Sequence, residues 1–318
     1  MVLMKVASIF VLILIGFASA RAGLTPRESS KYLSNVVVYI SAPCAIIHSM
    51  SEQELDPASA ASLGIVCALF VALTAFSWLI AFIHSKLFKV EFADKGIYQN
   101  IIIFPNNGFM GMPISMAIYG SQGFFLMVAA NILAPPVMYT FGIWNMLRHK
   151  GVGAKFSVKQ FINVPVIASF VGLAIFFLRI PLPEVLGSAI KITGDMMTPL
   201  CMMVIGIQLT QSSVGSIIKN YRLVTASFVK IILLPALVFA ILFPFGLITV
   251  AGKPLLDPLI IAIITLNAMM PTAALTVALS EMYGCNVKLA SEGTFLTTLF
   301  SIVTIPLTAA LINHLLGI

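Results

Sequence analysis

The chain is written in long apolar runs separated by short polar ones. Windows of about twenty apolar residues, the length that crosses a bilayer as a helix, fall near 3–20, 32–50, 60–85, 96–119, 123–147, 161–179, 186–210, 219–244, 255–281 and 289–315. Ten spans are predicted. The polar stretch 148–160 is the sizeable internal loop and divides them five and five, into a first repeat at 1–147 and a second at 161–318. Two windows cannot be unbroken helices. Phe104-Pro-Asn-Asn-Gly-Phe-Met-Gly-Met-Pro113 interrupts span 4, and Asn267-Ala-Met-Met-Pro271 interrupts span 9. Proline removes a backbone donor and collides with the preceding turn, and glycine loosens what remains. Unwound backbone at membrane depth survives only where protein or a water-filled cavity covers its polar groups.

The halves echo each other weakly. Span 2 carries Ser41-Ala-Pro-Cys44 and span 7 carries Thr198-Pro-Leu-Cys201; spans 4 and 9 both close on Tyr-Gly, at Tyr119-Gly120 and Tyr283-Gly284. Five spans per repeat is odd, so the second half enters the membrane in the opposite sense. The predicted fold is an all-α integral membrane protein of ten transmembrane helices in a 5+5 inverted repeat, with helices 4 and 9 interrupted and crossing. The first span imitates a secretory signal, with Lys5, an apolar run and Ala18-Ser-Ala20. Its removal would leave an odd number of spans, so it is expected to stay.

Composition agrees. Of 318 residues, 60% are hydrophobic and 9% charged, with a mean hydropathy of +1.06. No soluble domain of this length needs so much apolar surface. The net charge of +7 invites a nucleic-acid reading, but its placement gives another. Thirteen of the eighteen Lys and Arg residues fall after odd-numbered spans: Arg21, Arg27, Lys31, Lys86, Lys89, Lys95, Arg148, Lys150, Lys155, Lys159, Lys219, Arg222 and Lys288. Lys5, Arg179, Lys191 and Lys253 lie on the other side, and Lys230 falls inside span 8. The positive-inside rule then puts the central loop in the cytoplasm and both termini outside. Four cysteines (Cys44, Cys67, Cys201, Cys285) lie in apolar segments at no metal or disulfide spacing, and read as small packing residues. No metal motif, phosphate loop or nucleophile–base set is visible, so an enzyme is not expected.

The breaks carry the chemistry. At an interruption, backbone N–H groups lose their intrahelical partners and a half-helix N-terminus is partially positive. Together they make an anion site without a buried cation. Asn106 and Asn107 add amide donors, Gly108 and Gly111 permit close approach, and Asn267 sits at the second break. A small organic carboxylate is the natural cargo. The plainer reading is that these asparagines tile the break with interhelical hydrogen bonds. Two further charges fall at membrane depth, Asp195 in span 7 and Lys230 in span 8, where an ionised group needs a partner or a cavity. Lys230 is read either as lining the path or as snorkelling to the interface. Glu281 and Glu292 lie near span ends and read as interfacial.

The segment Phe104–Pro113 resembles the fourth-span motif of the auxin efflux carrier family, which includes plant auxin carriers and bacterial malate-permease-like proteins. Ala42-Pro43, Asn163-Val-Pro165, Gly194-Asp195 with Val204-Ile-Gly206, Lys230 before Pro235, and Glu281-Met-Tyr-Gly284 fit in order along essentially the whole chain. The short central loop resembles the compact bacterial form. The resemblance implies a scaffold of spans 1, 2, 6 and 7, often a homodimer through those helices, and a moving domain of spans 3–5 and 8–10. It implies spans 4 and 9 crossing near Pro113 and Pro271 beside the substrate, with Asn106 toward the substrate and elevator-like transport. Asn163 enters the substrate set on the same ground.

The expected function is therefore secondary transport of a small organic anion, such as malate or an indole-type acid, across the plasma or inner membrane. No cofactor is expected. Coupling is left open between sodium, held by hydroxyls such as Thr265, Thr272, Thr276 and Ser115, a proton, and uniport. Asp195 and Lys230 are the candidate coupling or charge-balancing groups. The acid and lysine that some plant carriers place near span 3 are absent, the sequence there reading Ala60-Ala-Ser62. A membrane receptor on the same fold would append a soluble domain, which follows no span here. A channel would need a continuous polar lining.

Overall fold

The computed structural model describes residues 2–26, 28–53, 57–148, 164–210, 217, 219–250 and 253–318. The central loop and Asn163 lie outside them. Helices α1 (Val2–Arg21), α2 (Ser29–Val36), α3 (Ala42–Ser51) and α4 (Pro57–Leu87) open the chain, followed by α5 (Lys95–Ile103), α6 (Met112–Val137) and α7 (Ile143–Leu147). Beyond the loop come α8 (Val164–Leu178), α9 (Glu184–Asp195), α10 (Met197–Leu209), α11 (Tyr221–Phe228) and α12 (Leu234–Leu247). After a two-residue ladder of β1 (Thr249–Val250) and β2 (Lys253–Pro254), α13 (Pro258–Met269), α14 (Leu275–Met282) and α15 (Val287–Leu316) complete the described chain.

Among the described residues, six helical stretches are long and apolar enough to cross a bilayer, with shorter apolar ones at Phe10–Arg21, Val164–Leu178 and Pro258–Met269. For spans 4 and 9 the difference from ten has a physical source. The breaks cut spans 4 and 9 into pieces too short to cross alone. One of the six, Asn107–Leu147, is 41 residues long and holds Gly120 at φ 69°, ψ −158°, where the backbone leaves the helix.

Among the described residues, four single π-turns interrupt the helices, at Val37–Ser41, Asn107–Gly111, Met138–Gly142 and Val229–Leu233. Three end two residues before a proline: Pro43, Pro113 and Pro235. A proline in a helix leaves the carbonyl four residues earlier without its donor. The turn widens instead, and the residue before the proline donates one step further back, Ala42 N–H to Val37 O and Leu234 N–H to Val229 O. Such widened turns recur at functional sites.

The chain divides into two compact units. The first comprises Met1–Cys67, Gly108–Ile132 and Val158–Gln211. In it α1 lies along α10 with Gly16 and Gly206 at the seam, where an added Cβ on either would strike the other helix's backbone. Small residues let membrane helices approach this closely. Helix α3 packs on α8 and α9, with Gly172 under Met50 and Gly194 under Ala45. The second unit comprises Ala68–Asn107, Leu133–Ser157 and Ser212–Ile318. Here α5 is ringed by α7, α11, α14 and α15, and α13 lies against α12 and α15. Gly293 of α15 sits against the Ile101 side chain of α5.

Much of the surface is unsuited to water. Ile65, Val71, Leu79, Phe82 and Ile83 on α4, and Phe170, Phe177 and Leu178 on α8, are all exposed. Exposed apolar side chains in this density mark a surface meant for lipid. The chain is a multi-pass membrane protein.

Candidate functional site

The two interruptions meet in the second unit. Helix α5 stops at Ile103, and Phe104 turns extended at φ −93°, ψ 114°. Helix α13 stops at Met269, and Met270 is extended at φ −62°, ψ 141°. The extended pieces run antiparallel, with Pro105 opposite Thr272. Asn106 N–H donates to Pro271 O at 2.7 Å and Ala273 N–H to Phe104 O at 2.9 Å. Each break therefore satisfies backbone groups of the other.

Proline dictates the rest. Pro105 has no N–H, so Ile101 O loses its helical donor, and the Thr272 hydroxyl supplies one at 2.9 Å. Thr272 N–H in turn donates to Thr297 Oγ1 of α15 at 3.1 Å, and the two hydroxyls lie 3.2 Å apart. Pro271 likewise deprives Asn267 O, which accepts from Met270 N–H at 3.3 Å instead. Buried polar groups that a proline orphans are here re-partnered one by one, as their desolvation cost demands.

This geometry revises two expectations. The crossing lies at Pro105 and Thr272, beside Pro271, and not at Pro113. Pro113 is the second residue of α6, in the first unit, and closes the π-turn Asn107–Gly111. The amides of Asn106, Thr272 and Ala273 are consumed by the crossing and by Thr297, so they are not presented to a ligand. The first N–H groups past the extended piece belong to Asn107 and Gly108.

Of the predicted residues, Asn107 stands out. It is buried, and neither atom of its side-chain amide has a hydrogen-bond partner. An unsatisfied buried amide is costly and calls for a reason. Gly108 has open space where a side chain would stand, with nothing within 4 Å of an added Cβ, so close packing does not explain it. Asn106, Asn267 and Pro271 are buried, all in the second unit. Lys230 stands in the π-turn Val229–Leu233 and is 1% exposed, which removes the snorkelling alternative. Asp195 belongs to the first unit, where it pairs with Lys191 of its own helix at 3.4 Å on an exposed face. It lines a small cavity of about 70 Å³ with His48 and Thr198. Of the hydroxyls considered for sodium, Thr265 donates to Ile261 O, Ser115 to Met112 O and Thr272 to Ile101 O; Thr276 Oγ1 is buried with no partner.

Sequence reasoning missed a buried clamp. Asn100 of α5 donates to Gly142 O at 2.9 Å, and Asn145 of α7 donates to Asn100 Oδ1 at 2.8 Å and to Gly96 O at 3.3 Å. It fixes the half-helix α5 against α7, where Gly96 leaves no room for a Cβ. Asparagines inside apolar runs were the available signal. No group of His, Cys, Asp or Glu able to hold a metal occurs among the described residues.

Broken helices tied by a two-bond ladder inside an apolar, helical chain define a membrane transport protein. The chain belongs to the membrane transport protein family, that of the auxin efflux carriers, whose model matches residues 1–309. It is similar to an uncharacterized transporter of Methanocaldococcus jannaschii, at 24% identity over 94% of this chain and 95% of the relative. A second uncharacterized transporter, of Methanothermobacter thermautotrophicus, is 21% identical over 95% of each chain. A Rhizobium meliloti protein named "Putative malonate transporter" is 22% identical over 93% of this chain and 91% of its own.

Proposed function

We propose that the protein is a secondary transporter that moves a small organic carboxylate across the cytoplasmic membrane, binding it beside the crossing of the two broken helices. The observation that carries this reading is the buried Asn107 amide, unpartnered at the head of a half-helix whose first N–H groups come after an extended segment. Half-helix N-termini favour anions, and an amide donor in a low dielectric adds a strong hydrogen bond to a carboxylate. The malonate in the name of the Rhizobium meliloti relative fits the same chemistry.

The ten-span inverted repeat is part of the proposal. Its support is the repeated order of elements: an interrupted span 2 or 7, then a long helix, then a broken helix with a proline in the break. The division into a scaffold of spans 1, 2, 6 and 7 and a moving domain of spans 3–5 and 8–10 rests on the family resemblance. Gly108–Ile132 groups with the first unit and departs from that division. Dimerisation through the scaffold and elevator motion belong to the same proposal.

The test is uptake of labelled malonate and malate by proteoliposomes, with Asn107→Leu and Asn106→Ala beside the wild type. Both variants are expected to lose about tenfold or more in uptake, the worth of one good hydrogen bond to a charged group. Asn107→Leu is expected to melt no earlier than the wild type in detergent, because it removes an unsatisfied amide. Wild-type uptake in both variants would refute the assigned site.

A further inference from the structure

Lys230 is the one lysine or arginine that lies inside a predicted span away from both ends, and it is 1% exposed. Its neighbours Phe228, Ile232 and Leu233 face outward, so the Lys230 side chain points into the second unit. Its π-turn packs against α5, α13 and α15, which include both helices that end in the crossing.

Its depth is set by hydrogen bonds at one end of the unit. Asn220, which caps α11, shares a hydrogen bond of 3.2 Å with the Tyr98 hydroxyl of α5. Asn286, which caps α15, donates to the Asp94 carboxylate at 3.2 Å. The starts of α5, α11 and α15 are thus level. At about 1.5 Å per helical residue and about 3.3 Å per extended one, Lys230 stands about 15 Å beyond Asn220, and Pro105 about 14 Å beyond Tyr98. The lysine and the crossing share a level.

Among the described residues no anion meets it there. None of the ion pairs among the described residues includes Lys230. On the elements packed against its turn, the titratable groups are Lys95 and Tyr98 on α5, Tyr221 and Arg222 on α11, and Lys288, Glu292 and His314 on α15; α12 and α13 have none. Glu292 pairs with Lys288 at 3.9 Å, Arg222 approaches Glu91 at 4.0 Å, and His84 of α4 bonds Thr225 one turn before. An ammonium sealed in a protein core without a counter-ion is unstable, and one beside a carboxylate is not.

Resting on the carboxylate reading above, we propose that Lys230 is the cation that receives the substrate carboxylate, and that its proton crosses the membrane with the substrate. The empty site holds a neutral amine. Binding joins one aqueous proton and one carboxylate as an ammonium–carboxylate pair, and release on the far side returns the amine, the proton and the acid anion. No protein carboxylate is needed for coupling.

The test uses proteoliposomes with a trapped pH indicator, malonate and malate as probes, and the potential clamped at zero with valinomycin and equal potassium. The wild type is expected to carry one proton beyond any bound to the acid itself, and to accumulate substrate about tenfold per unit of inside-alkaline pH. Lys230→Arg, a cation that does not deprotonate, is expected to keep binding, seen as protection of its melting temperature by malonate, and to lose that extra proton. Lys230→Met is expected to lose both. Equal proton flux in wild type and Lys230→Arg overturns the proposal and leaves the carboxylate site standing. Wild-type protein that moves neither acid overturns the carboxylate reading, and the lysine's role with it.

Discussion

At the scale of single residues, the crossing is a problem of missing donors. Pro105 and Pro271 each strip a helix carbonyl of its partner, and the repairs differ in kind. Asn267 O is served locally by Met270 N–H, whereas Ile101 O depends on a hydroxyl from the other broken helix. Interhelical hydrogen bonds in membranes average about 0.6 kcal/mol because the separated helices find other partners. That discount does not apply to Ile101 O, whose own helix offers no donor, so the larger figure of about 1–3 kcal/mol for an orphaned buried acceptor governs. Thr272→Val is therefore expected to lower the melting temperature in detergent, and Thr272→Ser to leave it near wild type. Equal melting of the two variants would show that the hydroxyl does not hold the crossing. The residue types were legible in the sequence: two prolines among asparagines inside apolar runs announce unwound backbone. Their pairing was not. Nothing local says that Pro105 rather than Pro113 is the crossing residue, because both remove a donor and only tertiary contact decides which carbonyl is rescued from outside.

At the scale of elements, Pro113 and Pro235 show the other outcome of the same chemistry, a helix that widens by one residue and continues. A π-turn acts as a one-residue insertion and rotates the next stretch of helix by about 100° relative to an unbroken α-helix. In the segment from Tyr221 to Leu247 the π-turn holds Lys230, which is buried while Phe228, Ile232 and Leu233 stay outward. Pro235→Ala restores an N–H to Ile231 O and lets the turn close as α-helix. Alanine being the better helix former, the variant is expected to be at least as stable as the wild type. It is expected to lose about tenfold in carboxylate uptake, equal to about 1.4 kcal/mol of transition-state stabilisation. Full uptake with a stable fold would detach the lysine's position from the turn. The proline itself was visible in the sequence. Periodicity could not foretell the π-turn, because one shifted hydrogen bond leaves the apolar pattern almost unchanged. Gly16 and Gly206 were invisible for a related reason: a small residue in an apolar run declares its purpose only when the helix opposite is known.

At the scale of the whole molecule, charge placement and hydrogen bonding point to the same sidedness. The basic excess after odd-numbered spans assigns those loops to one membrane face. Within the second unit, three of them converge independently of charge counting: Arg222 Nε–H donates to Phe88 O at 3.1 Å, Tyr98 meets Asn220, and Asn286 meets Asp94. These contacts tie the loops after spans 3, 7 and 9 to one end, as an even number of crossings between them requires. The cluster lines a polar cavity of about 370 Å³ whose walls include Glu91, Arg222 and Lys288, a lining suited to water and not to lipid. The ten-span order then makes a sharp prediction for single cysteines introduced after the four native ones are replaced. On intact cells, a membrane-impermeant maleimide is expected to label Ser51→Cys and Asp257→Cys. Lys95→Cys, Lys155→Cys and Lys288→Cys are expected to react only after the membrane is opened. The pair Ser51 and Lys155 is decisive, because three spans separate them in this topology and an odd number of crossings must place them on opposite faces. Labelling of both from the same side would remove the inverted repeat. With it would go the opposite sense in which spans 4 and 9 enter the membrane.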